Sequence, residues 1–290
     1  MSGTSPIEAA LAAALEQGST APACPPKLAE AMHYAVFPGG ARVRPRLCLA
    51  VADACGGRVT TVAVMAATAL ELLHCASLVH DDLPCFDDAA MRRGKPSLHR
   101  AMGEPIALLT GDALIVLAFE VLAGIGGDRP NVLAPLLSTV SRGVGGPAGI
   151  VAGQAWECEP QVVLADYHRA KTGALFVAAT EAGALVSGAE PADWRPLGER
   201  IGEAYQVADD LRDAAGDCEE LGKPVGRDAA LGRPSAAREL GIARALDRMD
   251  ELLAAAIAAI PDCPGAADLE DLIQHESRRL VPKGIARLVA

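Results

Sequence analysis

Residues 71–96 read ELLHCASLVHDDLPCFDDAAMRRGKP, an apolar run that ends in four aspartates, a proline, two adjacent arginines and a lysine. The run closes a segment predicted to be helical over 60–80, and the charge leaves from its C-terminal end. Asp81 and Asp87 are six apart, so on a continuous helix they would point about 120° away from one another. Convergence needs the helix to end or distort between them. Pro84 supplies a reason, because it removes a backbone donor and clashes with the turn before it. Carboxylates crowded at a buried helix end repel one another unless a cation neutralises them. A single such cluster would still read as a solvated helix end.

A second cluster answers the first. Residues 203–217 read EAYQVADDLRDAAGD; Asp209 and Asp213 stand four apart and share a helix face, with Asp210 about 100° round from Asp209. Two oxygen-rich groups suit a hard divalent ion such as Mg²⁺, which takes a few carboxylates and completes its octahedron with water and phosphate oxygens. The basic residues nearest these clusters in sequence or pattern are Arg42 and Arg44 in FPGGARVRPRL, Arg92 and Arg93, Lys171 in HRAKTGALF, and Lys223 in LGKPVGRD. Metal-holding carboxylates with several basic side chains form the equipment for gripping a diphosphate.

The rest of the 290-residue chain predicts helices and little else. Half of it is apolar (51%) while only 3% is aromatic, which points to close-packed helices with small contact residues. Gly- and Pro-rich breaks at 18–26, 38–45, 124–131, 143–149, 188–196, 222–234 and 261–265 separate helical segments. These fall at 6–16, 27–36, 44–55, 60–80, 106–123, 130–142, 147–158, 166–187, 197–215, 235–259 and 266–280, an all-α bundle of ten or more helices in one domain over 1–290, its motifs within 38–228.

A net charge of -11 argues against nucleic acid or an anionic lipid surface as a partner. The eight cysteines show no CxxC pair and sit mostly in apolar runs, so they read as small buried hydrophobes of a reducing, cytoplasmic setting. The N-terminal MSGTSPIEAALAAALEQ lacks a basic n-region and reads as an ordinary helix, not a signal peptide. The apolar run 106–127 is interrupted by Asp112 and Glu120, so it is expected to be a central helix of a soluble bundle and not a transmembrane segment.

In order, GGARVRP, ELLHCASLVHDDLPCFDDAAMRRGKP, GQAWE, KTG, and YQVADDLRD with LGKPVGRD resemble the isoprenyl diphosphate synthases of polyprenyl synthetase type. The resemblance covers about residues 30–230 and is closest to bacterial and plastid members that form geranylgeranyl diphosphate for carotenoids and chlorophylls. It implies a homodimer of all-α subunits, each with an elongated cavity among its central helices, and two to three Mg²⁺ ions at the cavity mouth. Asp81, Asp82 and Asp87 would be metal ligands in the first motif, and Asp209, Asp210 and Asp213 in the second. Arg92, Gln154, Lys171, Thr172, Gln206 and Lys223 would hold the allylic diphosphate (dimethylallyl, geranyl or farnesyl), with Glu157 standing where the family more often has Asp. Isopentenyl diphosphate would be held by Arg44, His74 and Arg93. Ala41 replaces the lysine of the usual GGKRxRP, which should weaken that clamp unless Arg42 or Arg46 compensates.

The implied reaction ionises the allylic diphosphate, joins the resulting cation to the double bond of isopentenyl diphosphate and releases a proton. Positioning and electrostatics carry it, so Cys85 is expected to be a bystander. His74 lies two helical turns before Asp81 on nearly the same face and could reach substrate, whereas His80 reads as a core group. Ala76 and Ser77 occupy the place where family members that stop at farnesyl carry a bulky aromatic, so their small side chains imply the longer C20 product. The competing readings are a farnesyl-forming enzyme, a terpene cyclase, and a non-catalytic subunit of a heteromeric synthase. A cyclase needs aromatic faces around its cation, and this chain has few; a non-catalytic subunit would be expected to lose aspartates that this chain keeps. The basic stretch SRRLVPKGIARL at 277–288 has two readings, a segment that closes over a diphosphate or a solvated helix end, and the second is favoured.

Overall fold

Thr60 opens the long helix that precedes the first aspartates: its hydroxyl accepts a hydrogen bond from Ala63 N at 3.2 Å, filling one of the donors a helix start leaves unpaired. The helix then runs Thr61–Asp81 and buries its alanines at 63, 66, 67, 69 and 76, which lets neighbouring backbones come close. The computed structural model describes residues 5–19, 24–57, 59–127, 129–161, 163–215 and 240–280. In chain order the helices are α1 Pro6–Ser19, α2 Pro26–Val36, α3 Val43–Ala54, α4 Thr61–Asp81, α5 Leu98–Met102, α6 Glu104–Ala123, α7 Pro130–Val144, α8 Ile150–Trp156, α9 Leu164–His168, α10 Ala174–Ser187, α11 Pro191–Ala215, α12 Ile242–Ala258 and α13 Ala266–Leu280. A π-helical turn, Arg169–Gly173, joins α9 to α10.

Helices α4 and α10 form the centre. Eleven of the fourteen residues of α10 are buried, nine of them apolar or glycine, and the helix is clasped by α3, α4, α7 and α11. α6 lies along α4 and α12 along α11. The α-helical class expected from composition is what is found.

Several local expectations are corrected. The segment predicted as one helix over 166–187 is split by the π turn. The break expected over 188–196 is largely helix, since α11 begins at Pro191 and passes through Pro196. Pro196 lies close enough to the helix start to forfeit one intrahelical bond, and buried Trp194 and Leu197 hold the extension to the core. The only strands among the described residues are the two-residue pair β1 Met91–Arg92 and β2 Lys95–Pro96, and the hairpin is held by Lys95, whose Nζ donates to Tyr34 O and, at 2.6 Å, to Phe37 O. α6 is not central. Much of its apolar surface faces outward, with Leu108, Leu109 and Val116 about half exposed. Both α4 and α6 are long and apolar enough to cross a membrane by length and composition, yet most of α4 is inside the bundle. Of the seven described cysteines only Cys48 and Cys75 are buried; Cys85 and Cys158 lie exposed in turns that follow helices. Cys218 is outside the described residues.

Candidate active site

The first aspartate motif converges because α4 stops. Past Asp81 the chain folds back, with Asp87 N donating to Asp81 O at 3.0 Å, Asp88 N to Leu83 O at 3.0 Å and Ala89 N to Asp82 O at 3.2 Å. That return brings the two carboxylates together, and a third joins them: oxygens of Asp81, Asp87 and Glu157 all lie within 4.8 Å of one another. Glu157 follows α8, whose Gly153 is packed so tightly on the π turn that a Cβ there would sit 2.3 Å from the Lys171 backbone. Only glycine permits that approach, and it delivers Glu157 to Lys171.

Lys171 is the hub. Its Nζ donates to Asp81 Oδ1 at 3.0 Å and to Glu157 Oε1. Tyr167, one turn earlier, donates its hydroxyl to the same Glu157 oxygen at 2.6 Å, and Gln154 donates to the other at 3.1 Å. Burial disfavours the lysine charge, but Asp81, Tyr167 and Glu157 outweigh it and hold its pKa above the usual range. Next along the turn, Thr172 Oγ1 donates to Gln206 Oε1 at 2.6 Å, and Gln206 Nε2 donates to Asp210 at 2.9 Å. The KTG turn thus ties the first cluster to the second.

The aspartates have different surroundings. Asp82 stands outside the three-carboxylate group, 3% exposed, its two oxygens accepting from Arg92 Nε at 2.9 and 3.1 Å. Burial pushes its carboxyl up despite Arg92. Arg92 also reaches Asp81 at 3.4 Å. Asp210 is buried and bonded to Gln206, whereas Asp209 is half-buried, with Arg212 at 4.0 Å. The side chain of Asp213, and Lys223, lie outside the described residues.

A second group of side chains, gathered around Arg44 and His74, is cationic. Arg44 sits over the Phe176 ring, 4.4 Å from guanidinium carbon to ring centre, with Tyr205 at 5.9 Å. Its buried Nε has no hydrogen-bond partner among the described residues. Its Nη1 lies 3.4 Å from His74 Nε2. Burial first, then Arg44, Arg93, Arg92 and Arg42, push the His74 pKa well below the ordinary imidazole range, so the ring is a neutral member of an arginine cluster. Guanidinium groups so gathered await an anion.

Both candidates for compensating Ala41 already have partners. Arg42 is 7% exposed and turned inward, its Nε donating to Glu8 at 2.8 Å and its Nη1 to Glu71 at 2.6 Å. Gly39 leaves the room, since a Cβ there would come within 2.2 Å of the Arg42 guanidinium. Arg46 pairs with Glu276 at 2.9 Å. His80 rests against α6, 3.2 Å from Leu108 O and 3.7 Å from Asp112. Ala76 is fully buried, and Ser77 is half-buried with its hydroxyl donating to His74 O at 2.8 Å.

Sequence reasoning missed Tyr167 and Glu71. Tyr167 stands four residues before Lys171, the spacing that places side chains on one face. Glu71 is a charge inside an apolar run, which is rarely buried without a partner.

Carboxylates gathered against guanidinium and ammonium groups inside an all-α bundle define a transferase of the isoprenoid synthase class. Residues 25–270 match the polyprenyl synthetase family, and the chain belongs to it. It is 55% identical to the geranylgeranyl diphosphate synthase of Cereibacter sphaeroides over 98% of each chain. It is 51% identical to that of Rhodobacter capsulatus over 95% of each. Among solved structures, the Helicobacter pylori geranyltransferase complexed with magnesium and isoprenyl diphosphate superposes with a TM-score of 0.79 at 29% identity, covering 96% of this chain and all of that one.

Proposed function

We infer that this chain condenses isopentenyl diphosphate with an allylic diphosphate to give geranylgeranyl diphosphate, in the cytoplasm, with two to three Mg²⁺ ions. The observation that carries this reading is the near-complete match to geranylgeranyl diphosphate synthases in a chain whose Asp81, Asp87 and Glu157 oxygens lie within 4.8 Å. Those oxygens are hard donors of the kind Mg²⁺ takes. Bound there, the ion would stabilise charge on the departing diphosphate. Arg92 and Lys171 stand beside these carboxylates to meet the allylic diphosphate, with Asp209 on α11 as a further ligand. Arg44 and Arg93, with neutral His74, receive the second diphosphate. The cation–π contact of Arg44 with Phe176 helps hold it in place before any ligand arrives. A homodimer would cover the outward apolar face of α6.

Incubation of the purified protein with Mg²⁺, farnesyl diphosphate and isopentenyl diphosphate should release a C20 product. Absence of turnover with any allylic primer would leave the non-catalytic subunit as the reading.

Product length gives a sharper test. Ser77 is one turn before Asp81 on the same face of α4 and keeps accessible surface. Ser77→Phe should therefore shift the main product from C20 to C15, read by chromatography of the released alcohols. Unchanged C20 would remove Ser77 from the cavity floor. Ala76→Phe is expected to act less cleanly, because overpacking a fully buried site costs about 1–3 kcal/mol by itself.

A further inference from the structure

We propose that the Lys171 ammonium is a built-in placeholder for the metal, holding the carboxylates together until a diphosphate draws it away. This rests on the magnesium site inferred above. Three carboxylates within 4.8 Å would repel one another with nothing between them. Lys171 joins two of the three, Asp81 at 3.0 Å and Glu157. Glu157 is further fixed by Tyr167 at 2.6 Å and Gln154 at 3.1 Å, so one of the two Lys171 acceptors is held in place before any ion enters.

The ammonium and a metal compete for the same oxygens. An ion arriving alone must displace a paired cation into water. An ion arriving with a diphosphate brings the lysine a new anionic partner, and the exchange becomes favourable. The π turn bears on this exchange, since it sets Lys171 and Thr172 apart from the regular helix α10 and ties the neighbouring threonine to Gln206 rather than to the carboxylates. Lys171 is then a positioning residue that also orders binding, metal with diphosphate and not metal first.

The test is Mn²⁺ binding without substrate, followed by electron paramagnetic resonance on the full chain. Lys171→Met should bind Mn²⁺ about tenfold more tightly than the unmodified protein, because one opposing charge has left a partly buried site. Lys171→Arg, which keeps the charge, should bind as weakly as the unmodified chain. Adding Asp81→Asn to Lys171→Met should abolish the gain. Equal or weaker binding by Lys171→Met, equally tight binding by Lys171→Arg, or tight binding that survives Asp81→Asn would each overturn the proposal. Turnover of farnesyl diphosphate by the unmodified protein is measured separately, so failure of the reaction and failure of the placeholder are distinguishable.

Discussion

Asp81→Asn should lower turnover by about 10³-fold or more while leaving the chain folded, the scale expected when a charge that helps hold a catalytic metal is lost. Asn keeps the shape of the side chain, so Lys171 and Arg92 lose an anion without gaining a void. Asp81 faces both cations, at 3.0 and 3.4 Å, and shares the three-carboxylate group with Asp87 and Glu157. Asp82→Asn is the informative contrast. That carboxylate is buried under Arg92 and lies outside the group, so its loss should act through a loosened Arg92, raising the KM for the allylic substrate more than it lowers kcat. Initial rates with thermal melts on both variants check this. An Asp81→Asn rate within tenfold of the unmodified protein would contradict the placing of the metal.

The difference between neighbouring aspartates marks where sequence stops being informative. The turn after α4 was legible from Pro84 and from the six-residue spacing, because both are local. The motifs of the site were legible as an ordered series, and the family match agrees with them. What each charge touches was not legible. Arg42 looked like a spare cation for the diphosphate clamp, yet its partners are 34 and 29 residues away, on α1 and α4. Lys95, in the same motif as Arg92 and Arg93, is spent on carbonyls of residues 34 and 37. The π turn has no periodicity signal of its own, so 166–187 read as one helix. Pro196 read as a breaker because only burial of Trp194 and Leu197 shows why helix is worth keeping there. The outward face of α6 is harder to read for another reason: apolar residues surround the helix, and past its first residue only Asp112 and Glu120 mark its solvent side.

Arg42→Met should lower stability by about 3–5 kcal/mol, the usual consequence of breaking a buried ion pair from one side. The inner pair decides the size. Arg42 and Glu71 side chains are 6% and 2% exposed and 2.6 Å apart, so removing the guanidinium leaves a carboxylate in the core. Glu8 is 30% exposed and contributes little, since water screens it. Methionine fills much of the stem's volume, which keeps the effect electrostatic rather than a cavity effect. Melting should fall by roughly 5–15 °C for a chain of this size. A second consequence separates this account from general damage: Arg93 Nη2 is already 3.9 Å from the same Glu71 oxygen, and the stranded carboxylate should pull it closer. Arg93 is assigned to isopentenyl diphosphate, so the KM for that substrate should rise in Arg42→Met while the KM for the allylic partner moves little. Pairing Arg42→Met with Glu71→Gln removes the stranded charge, and should restore both stability and that KM in part. If the double variant is no better than the single one, the buried pair is not what Arg42 contributes.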